Sequence, residues 1–439
     1  MGISKSLSRY LERHAEPEID LVGALDGAWK RVVAIPACSE DASFGATMDS
    51  LAAAEGAEDT LLLVVVNGAE GAPEHKHERN ERFLSWFRNV TGCGDGRLVQ
   101  GRYKTLDVCL VDRASPESRL PSRQGVGLAR KISVDIPAAL YGEGRLQSPW
   151  VHSTDADVVV PVDYLLRVPE EANTAAGLHP YSHVVEGDKE QRLAMLQYES
   201  YLHYYTLGLH WAGSPYAYTA IGSTIVVHVE YYGAVRGFPK REAGEDFYLL
   251  NKLAKVGHVT GMQGAPIRVR GRFSDRVPFG TGAALEIITA DEGQGKAYLM
   301  YDPRLFEALK GFLEHWNTYA SAPNLEVLKA GVQELDKQFN GAWKALDETG
   351  VFEAANAAAK HAKPGPSLKR RLSEWMDGFR TLKILHGFRD EISGSIPWNE
   401  AIERAPFCPG VQGKSPEDVC EILRIEVEAL EVHSQVVSG

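Results

Sequence analysis

From residue 30 to about residue 160 the chain alternates between two apolar patterns. Short β-branched runs lie at 31–35, 61–66, 106–111 and 150–154. Their length and their polar or turn-forming borders predict strands. Between them, residues 43–55, 78–90 and 125–140 place apolar side chains at helical spacing. Strands separated by helices predict βαβ units, hence an α/β fold with a mainly parallel sheet flanked by helices. Three strands run out into small or polar residues: Ala37-Cys-Ser-Glu40, Asn67-Gly-Ala-Glu70 and Ser153-Thr-Asp-Ala-Asp157. Ligands of open α/β sheets bind beyond the carboxyl ends of strands, so these three ends are expected to share one crevice.

After residue 170 the texture changes. Residues 191–211 predict a long helix bearing Tyr198, Tyr201, Tyr204, Tyr205 and Trp211. A strand is expected at 221–229, a short element at 231–238, a helix at 245–256 and an extended stretch from Gly257. Residues 268–282 are basic and glycine-rich and read as loop. From residue 301 the periodicity is helical throughout, at 303–319, 325–346, 351–362, 368–388 and 416–432. The expected organisation is an N-terminal helical arm (1–29), an α/β domain (30–300) and an α-helical C-terminal region (301–439). Within the arm, Ile3, Leu7, Tyr10 and Leu11 share one side of a short helix that should dock on the protein.

Composition narrows the function. A hydrophobic content of 44% with 24% charged residues fits a soluble globular protein. A formal net charge of −12 argues against a nucleic-acid partner, because affinity for phosphate backbones rests on Lys and Arg. Five cysteines, an odd number with no Cys-x-x-Cys pair, predict reduced thiols and no structural zinc. No signal-peptide core opens the chain, and its longest apolar runs are too short for a transmembrane segment. The expected location is the cytoplasm, with peripheral attachment to a membrane surface through the first helix as the alternative.

The candidate chemistry is acidic. Asp155 and Asp157 sit one residue apart where a strand ends. Crowded carboxylates repel each other, and a hard cation such as Mg²⁺ takes one or two carboxylates together with substrate phosphates. Further on, Gly244-Glu245-Asp246 opens a helix. Acids there suit the helix dipole, and a carboxylate there can also serve as a general base. Arg270, Arg272 and Arg276 surround Ser274 and precede Gly280-Thr-Gly282; this stretch reads equally as a phosphate-binding loop or as a solvated basic surface. Gly125-Val-Gly-Leu-Ala-Arg-Lys131 lacks the third glycine of a dinucleotide fingerprint; Arg130 and Lys131 are expected on a solvated helix face, with contact to a phosphate as the alternative. His75, His77, His152, His179 and His183 are read as surface or core residues.

Four stretches in order carry a family resemblance: Val32-Val-Ala-Ile-Pro-Ala-Cys-Ser-Glu40, Leu63-Val-Val-Val-Asn-Gly68, Ser153-Thr-Asp-Ala-Asp157, and Gly237-Phe-Pro-Lys-Arg-Glu-Ala-Gly-Glu-Asp-Phe-Tyr248. Together they resemble the family 2 glycosyltransferases of the GT-A (Rossmann-like) fold, over residues 30–282. The resemblance implies that Pro36 and Glu40 line the nucleotide base and ribose. Asn67 stands where the family often has an Asp facing the base, which leaves UDP and GDP both open. Asp155 and Asp157 match the DXD motif that holds Mg²⁺ or Mn²⁺ and the diphosphate, and Arg272 and Arg276 are candidates for the donor phosphates. Asp246, with Glu245 beside it, matches the catalytic base of inverting members.

The expected activity is therefore inverting transfer of a sugar from a nucleoside-diphosphate donor to a hydroxyl acceptor. A soluble acceptor and a glycan end at a membrane surface both fit, and Tyr201, Tyr205 and Trp211 are candidates for holding it. The rival readings are a retaining enzyme of the same fold, a sugar-phosphate nucleotidyltransferase and a non-catalytic nucleotide-sugar-binding protein. The second of these wants a glycine-rich basic loop after the first strand, where this chain has Pro36-Ala-Cys-Ser-Glu40.

Overall fold

A computed structural model describes residues 4–184, 187–271 and 281–430. The chain divides into two compact units, residues 1–186 with 220–284 and residues 187–219 with 285–439.

The first unit opens with helix α1 (Lys5–Arg13), capped by the Ser4 hydroxyl. A 3₁₀ segment, Pro17–Ala24, follows. Strand β1 (Arg31–Ala37), helix α2 (Phe44–Ala52), strand β2 (Thr60–Asn67) and helix α3 (Glu74–Thr91) make the first βαβα run. Strands β3 (Leu98–Tyr103) and β4 (Leu106–Arg113) form a hairpin before helix α4 (Gly125–Gly142). Then come β5 (Trp150–Ser153), β6 (Val158–Val159), β7 (Thr174–Leu178) and β8 (Tyr181–Val184). Helix α5 (Lys189–Trp211) belongs to the second unit. The first unit resumes with β9 (Ile225–His228), α6 (Val229–Ala234), α7 (Glu245–Leu253), β10 (His258–Gly261) and β11 (Ile267–Arg270).

Eight strands form the main sheet in the order β10-β7-β9-β5-β1-β2-β4-β3. Its centre, β5-β1-β2-β4, is parallel. β9 runs antiparallel to both β5 and β7, and β3 closes the far edge antiparallel to β4. The expected α/β architecture with a mainly parallel sheet and a helical C-terminal region is therefore present. Every residue of β2 is buried, as continuous apolar strands covered on both faces should be. A smaller sheet, β6-β11-β8, extends the stretch after Asp157. Residues 268–270 thus end a strand rather than open a loop.

Helix α1 docks, as its apolar side predicted. Leu7 and Tyr10 are buried, and Gly233 of α6 lies so close to Leu7 that a Cβ there would sit 3.2 Å from the Leu7 Cα.

The second unit is helical. Helix α8 (Thr281–Glu292) leads through β12 (Leu299–Met300) to α9 (Pro303–Ser321), α10 (Leu325–Gln338), α11 (Ala342–Glu348), α12 (Val351–His361), α13 (Pro366–Trp375) and α14 (Gly378–Glu391). Strand β13 (Ile396–Pro397) pairs with β12 and precedes α15 (Trp398–Arg404) and α16 (Pro416–Ala429). The helix expected over 325–346 is two, because Gly341 takes a left-handed φ of +103° where the Cβ of any other residue would meet Glu391. The one expected over 368–388 is also two, because Asp377 caps a new start by accepting from the Arg380 N–H at 3.1 Å. Tyr201, Tyr205 and Trp211 of α5, the acceptor candidates, are partly buried and pack against the core of this unit. Tyr204 is buried among Phe306 and Phe407, and Gly208 leaves room for the Phe306 ring.

Candidate active site

Parallel strands β5, β1 and β2 lie side by side, and their carboxyl ends carry Ser153–Asp157, Pro36–Glu40 and Asn67. Pro36 pairs with Val65 in register, so the first-strand residues abut the end of β2. The turn after β1 is tight: Ser39 has a φ of +53°, and its N–H donates to Asn80 Oδ1 at 2.7 Å. Asn80 in turn donates to the Asn67 carbonyl at 3.0 Å. Asn67 is buried, and its Oδ1 has no hydrogen-bond partner among the described residues. Glu40 is buried in the same turn.

The acidic loop after β5 is anchored on several sides. Thr154 N–H donates to the Ala34 carbonyl at 3.1 Å, and Thr154 Oγ1 to the Ser223 carbonyl at 2.8 Å. Thr47 of α2 donates to the Ala156 carbonyl at 3.0 Å. The Arg270 N–H donates to the Asp157 carbonyl at 2.9 Å, so the basic stretch starts beside the second aspartate. Asp155 and Asp157 are both partly exposed. Arg272, Ser274 and Arg276 lie outside the described residues.

The residue that joins the site is Arg130. α4 is buried on nearly every side, so a charge at position 130 must be paired. Arg130 Nη2 meets Asp155 Oδ1 at 2.6 Å and Nε meets Glu245 Oε1 at 2.9 Å. Nη1 points at Ser153 Oγ (3.3 Å) and at the carbonyl of Gly222 (3.2 Å). Gly222 is needed there, since a Cβ would lie 2.8 Å from the Arg130 Cζ and closer still to Nη2. Burial pulls the proton affinity of the guanidinium down, but the Asp155 and Glu245 carboxylates outweigh it and hold it above its ordinary value. The expectation of a solvated helix face fails at both positions. Lys131 is also buried and donates to Asp135 Oδ2 at 2.8 Å.

Glu245 and Asp246 occupy the first turn of α7, entered through Gly244 in a left-handed conformation (φ +72°). The loop before them is pressed onto the start of α4. Gly127 N–H donates to the Arg241 carbonyl at 2.9 Å, and a Cβ at 127 would come within 2.6 Å of Arg241 backbone atoms. The two glycines of the rejected dinucleotide pattern thus have a packing role. Asp246 Oδ1 accepts from the Phe247 N–H at 2.7 Å. Burial, then the adjacent Glu245 charge, pushes the Asp246 carboxyl up to about 7, against the pull of Arg130. The structure therefore brings Asp155, Glu245 and Asp246 to one guanidinium, with Asn67, Pro36 and Glu40 on the neighbouring strand ends.

The pairing of Arg130 with Asp155 and Glu245 is not legible in the sequence, where the signal is an ionisable residue inside an otherwise apolar helix. The proximity of His152 and His179 is not legible there either. Both are buried with their ring centroids 5.6 Å apart, and Tyr164 packs against both rings. Among the described residues no three His, Cys, Asp or Glu side chains form a protein-only metal cage. A cation completed by substrate phosphates does not require one.

No protein-family model matches the chain, and no curated protein matches it in sequence. Solved structures similar to it include residues 1–349 of TarS from S. aureus in complex with UDP-GlcNAc. That match has 12% identity and a TM-score of 0.35, and covers 82% of this chain and 89% of TarS 1–349. Another is the mannosyltransferase PcManGT from Pyrobaculum calidifontis in complex with GDP-Man and Mn²⁺, at 14% identity and a TM-score of 0.33, covering 86% of this chain and 91% of that one. Likeness at that level is distant.

Proposed function

We propose that this chain is an inverting glycosyltransferase of the GT-A type, moving a sugar from a nucleoside-diphosphate donor to a hydroxyl acceptor. The observation that carries the reading is the joining of the Ser153–Asp157 strand end to the Glu245–Asp246 turn by one buried guanidinium. One motif suits the leaving group and the other suits the nucleophile. Asp157, with Asp155, offers the one or two carboxylates that a hard divalent cation accepts beside phosphate oxygens. Held there, Mg²⁺ or Mn²⁺ would neutralise charge gathering on the departing diphosphate.

Asp246 is the base. Its raised proton affinity matches a group that must take a proton near neutral pH. As the acceptor oxygen bonds to the sugar C1, the C1–O bond to the diphosphate breaks and its electron pair leaves with the diphosphate. Asp246 receives the hydroxyl proton. Glu245, paired with Arg130, serves as a standing charge beside it. Pro36, Glu40 and Asn67 face the base and ribose, and Arg272 and Arg276 are proposed for the donor phosphates. None of the five cysteines is in a disulfide, which suits a reducing compartment, and the cytoplasm is the proposed location.

The test is transfer from a panel of UDP- and GDP-sugars with Mn²⁺, comparing the wild type with Asp157→Ala and Asp246→Asn. Loss of a general base should lower kcat about 10²–10⁴-fold in Asp246→Asn. Full activity in both variants contradicts the assignment. Product anomers read by NMR separate inversion from retention, and retention would remove Asp246 from the base role.

A further inference from the structure

The clamp formed by Arg130 goes beyond what either acidic motif requires. The cation that holds the strand-end Asp155 is the Arg130 guanidinium, which is built into the fold. It reaches three separate segments: the loop after β5, the turn at Gly222 that precedes β9, and the first turn of α7. The guanidinium fork is rigid and planar, so contacts at both edges fix distance and angle together. Each neighbouring element is shaped to it, since Gly222 yields its side-chain volume and Gly127 lets the loop before Glu245 settle on the helix that carries Arg130. Without this charge, Asp155, Glu245 and Asp246 would be like charges at close quarters in a partly buried place.

We propose that Arg130 is a positioning residue: it locks the donor-side Asp155 and the Glu245 of the base turn into one unit, and so sets Asp246 against the strand end where the sugar is transferred. The proposal rests on the glycosyl-transfer reading for its kinetic arm, and its physical arm stands without turnover. Arg130 is buried and its guanidinium nitrogens are engaged by Glu245, Ser153, Gly222 and Asp155, so its effect on the reaction runs through Asp155 and Glu245. Removing it should lower kcat and leave donor KM nearly unchanged, because what is lost is geometry at the reacting centre.

The experiment uses the full chain with Arg130→Ala and Arg130→Lys, assayed with and without millimolar guanidinium chloride. Sodium chloride and methylammonium chloride serve as controls. The truncated site keeps Asp155, Glu245 and the Gly222 carbonyl around the vacated volume, a place for a free guanidinium ion. The expected result is a kcat about 10²-fold lower in both variants, with donor KM changed less than about threefold. Guanidinium, and neither control salt, should then restore kcat at least about tenfold in Arg130→Ala.

A kcat in Arg130→Lys close to wild type would overturn the proposal. Guanidinium that restores thermal stability in Arg130→Ala but leaves kcat low would overturn it too, since Arg130 would then serve the fold alone. If the wild type transfers no sugar from any donor, the functional reading fails while the clamp is still tested. Millimolar guanidinium raising the Tm of Arg130→Ala, but not of wild type, supports the clamp; the same response in both contradicts it. If Arg130→Ala does not fold, Gly222→Ala takes its place. The added methyl displaces the guanidinium without removing it, the same kcat loss is expected, and wild-type kcat would overturn the proposal.

Discussion

At the residue scale, the two acids of the α7 turn have different surroundings although they are adjacent. Glu245 is buried and held by Arg130, whereas Asp246 carries the raised proton affinity. A base must be ionised to act, so kcat/KM should rise with pH through about 7. A flat profile between pH 5.5 and 8.5 would remove Asp246 from that role. Folding raises the affinity of Asp246 above its ordinary value of 3.8. Between those two values the native state keeps a proton that the unfolded chain has released, so this group lowers stability as pH rises across the window. Asp246→Asn should therefore melt a few degrees higher than wild type at pH 8, a gain on the order of 1 kcal/mol, while losing transfer. A lower melting temperature would show that the carboxylate is held by favourable contacts instead.

At the element scale, the arm and α4 act together. Asp135 of α4 is fully buried and accepts from Tyr10, from the Glu16 N–H (2.8 Å), from Lys131 (2.8 Å) and from Tyr232 (2.9 Å). Glu16 also meets Lys240, in the loop that leads to Glu245, at 2.7 Å. The arm thus satisfies buried Lys131 and Asp135 on the same helix that carries Arg130. Tyr10→Phe should cost about 1.5–3 kcal/mol, the range for a hydrogen bond to a charged group, read as a lower denaturant midpoint at unchanged m. An unchanged midpoint would mean that the other three donors suffice.

The periodic elements were legible because continuous apolar runs and helical spacing report burial directly. β3 and β8 were not, because their alternation is short and largely polar. The breaks in the 325–346 and 368–388 patterns hang on a single glycine φ and a single aspartate cap, which leave the apolar spacing almost intact. The acidic residues of the candidate site stand out in the sequence as residue types at strand and helix ends. The pairing of Arg130 does not, because its partners lie 25 and 115 residues away.

At the scale of the whole molecule, the helical C-terminal region has a core of its own, built on Phe306, Phe312, Trp316, Phe352 and Phe388, and it includes α5. No described helix is long and apolar enough to cross a membrane. The sheet hides a liability to acid. Burial, with Arg31, lowers His152 to about 3, and burial, with His152 and Arg167, holds His179 well below its ordinary 6.5. The unfolded chain takes up these protons first, so stability is lost as pH falls below about 6.5. His152→Gln should lose less stability than wild type between pH 6.5 and 4, measured by denaturant melts. Parallel losses would place the acid sensitivity elsewhere.

On the proposed reading, the paired aspartates and the strand ends beside them bind a nucleoside diphosphate with the help of a cation. Thermal stability of wild type and Asp157→Ala with UDP or GDP, each with and without Mn²⁺, tests it most directly, because a ligand selective for the native state raises the apparent stability. One of the two nucleotides should raise the wild-type melting temperature by a few degrees only when Mn²⁺ is present, and Asp157→Ala should not respond. No shift with either nucleotide, or the same shift in both proteins, would contradict the account.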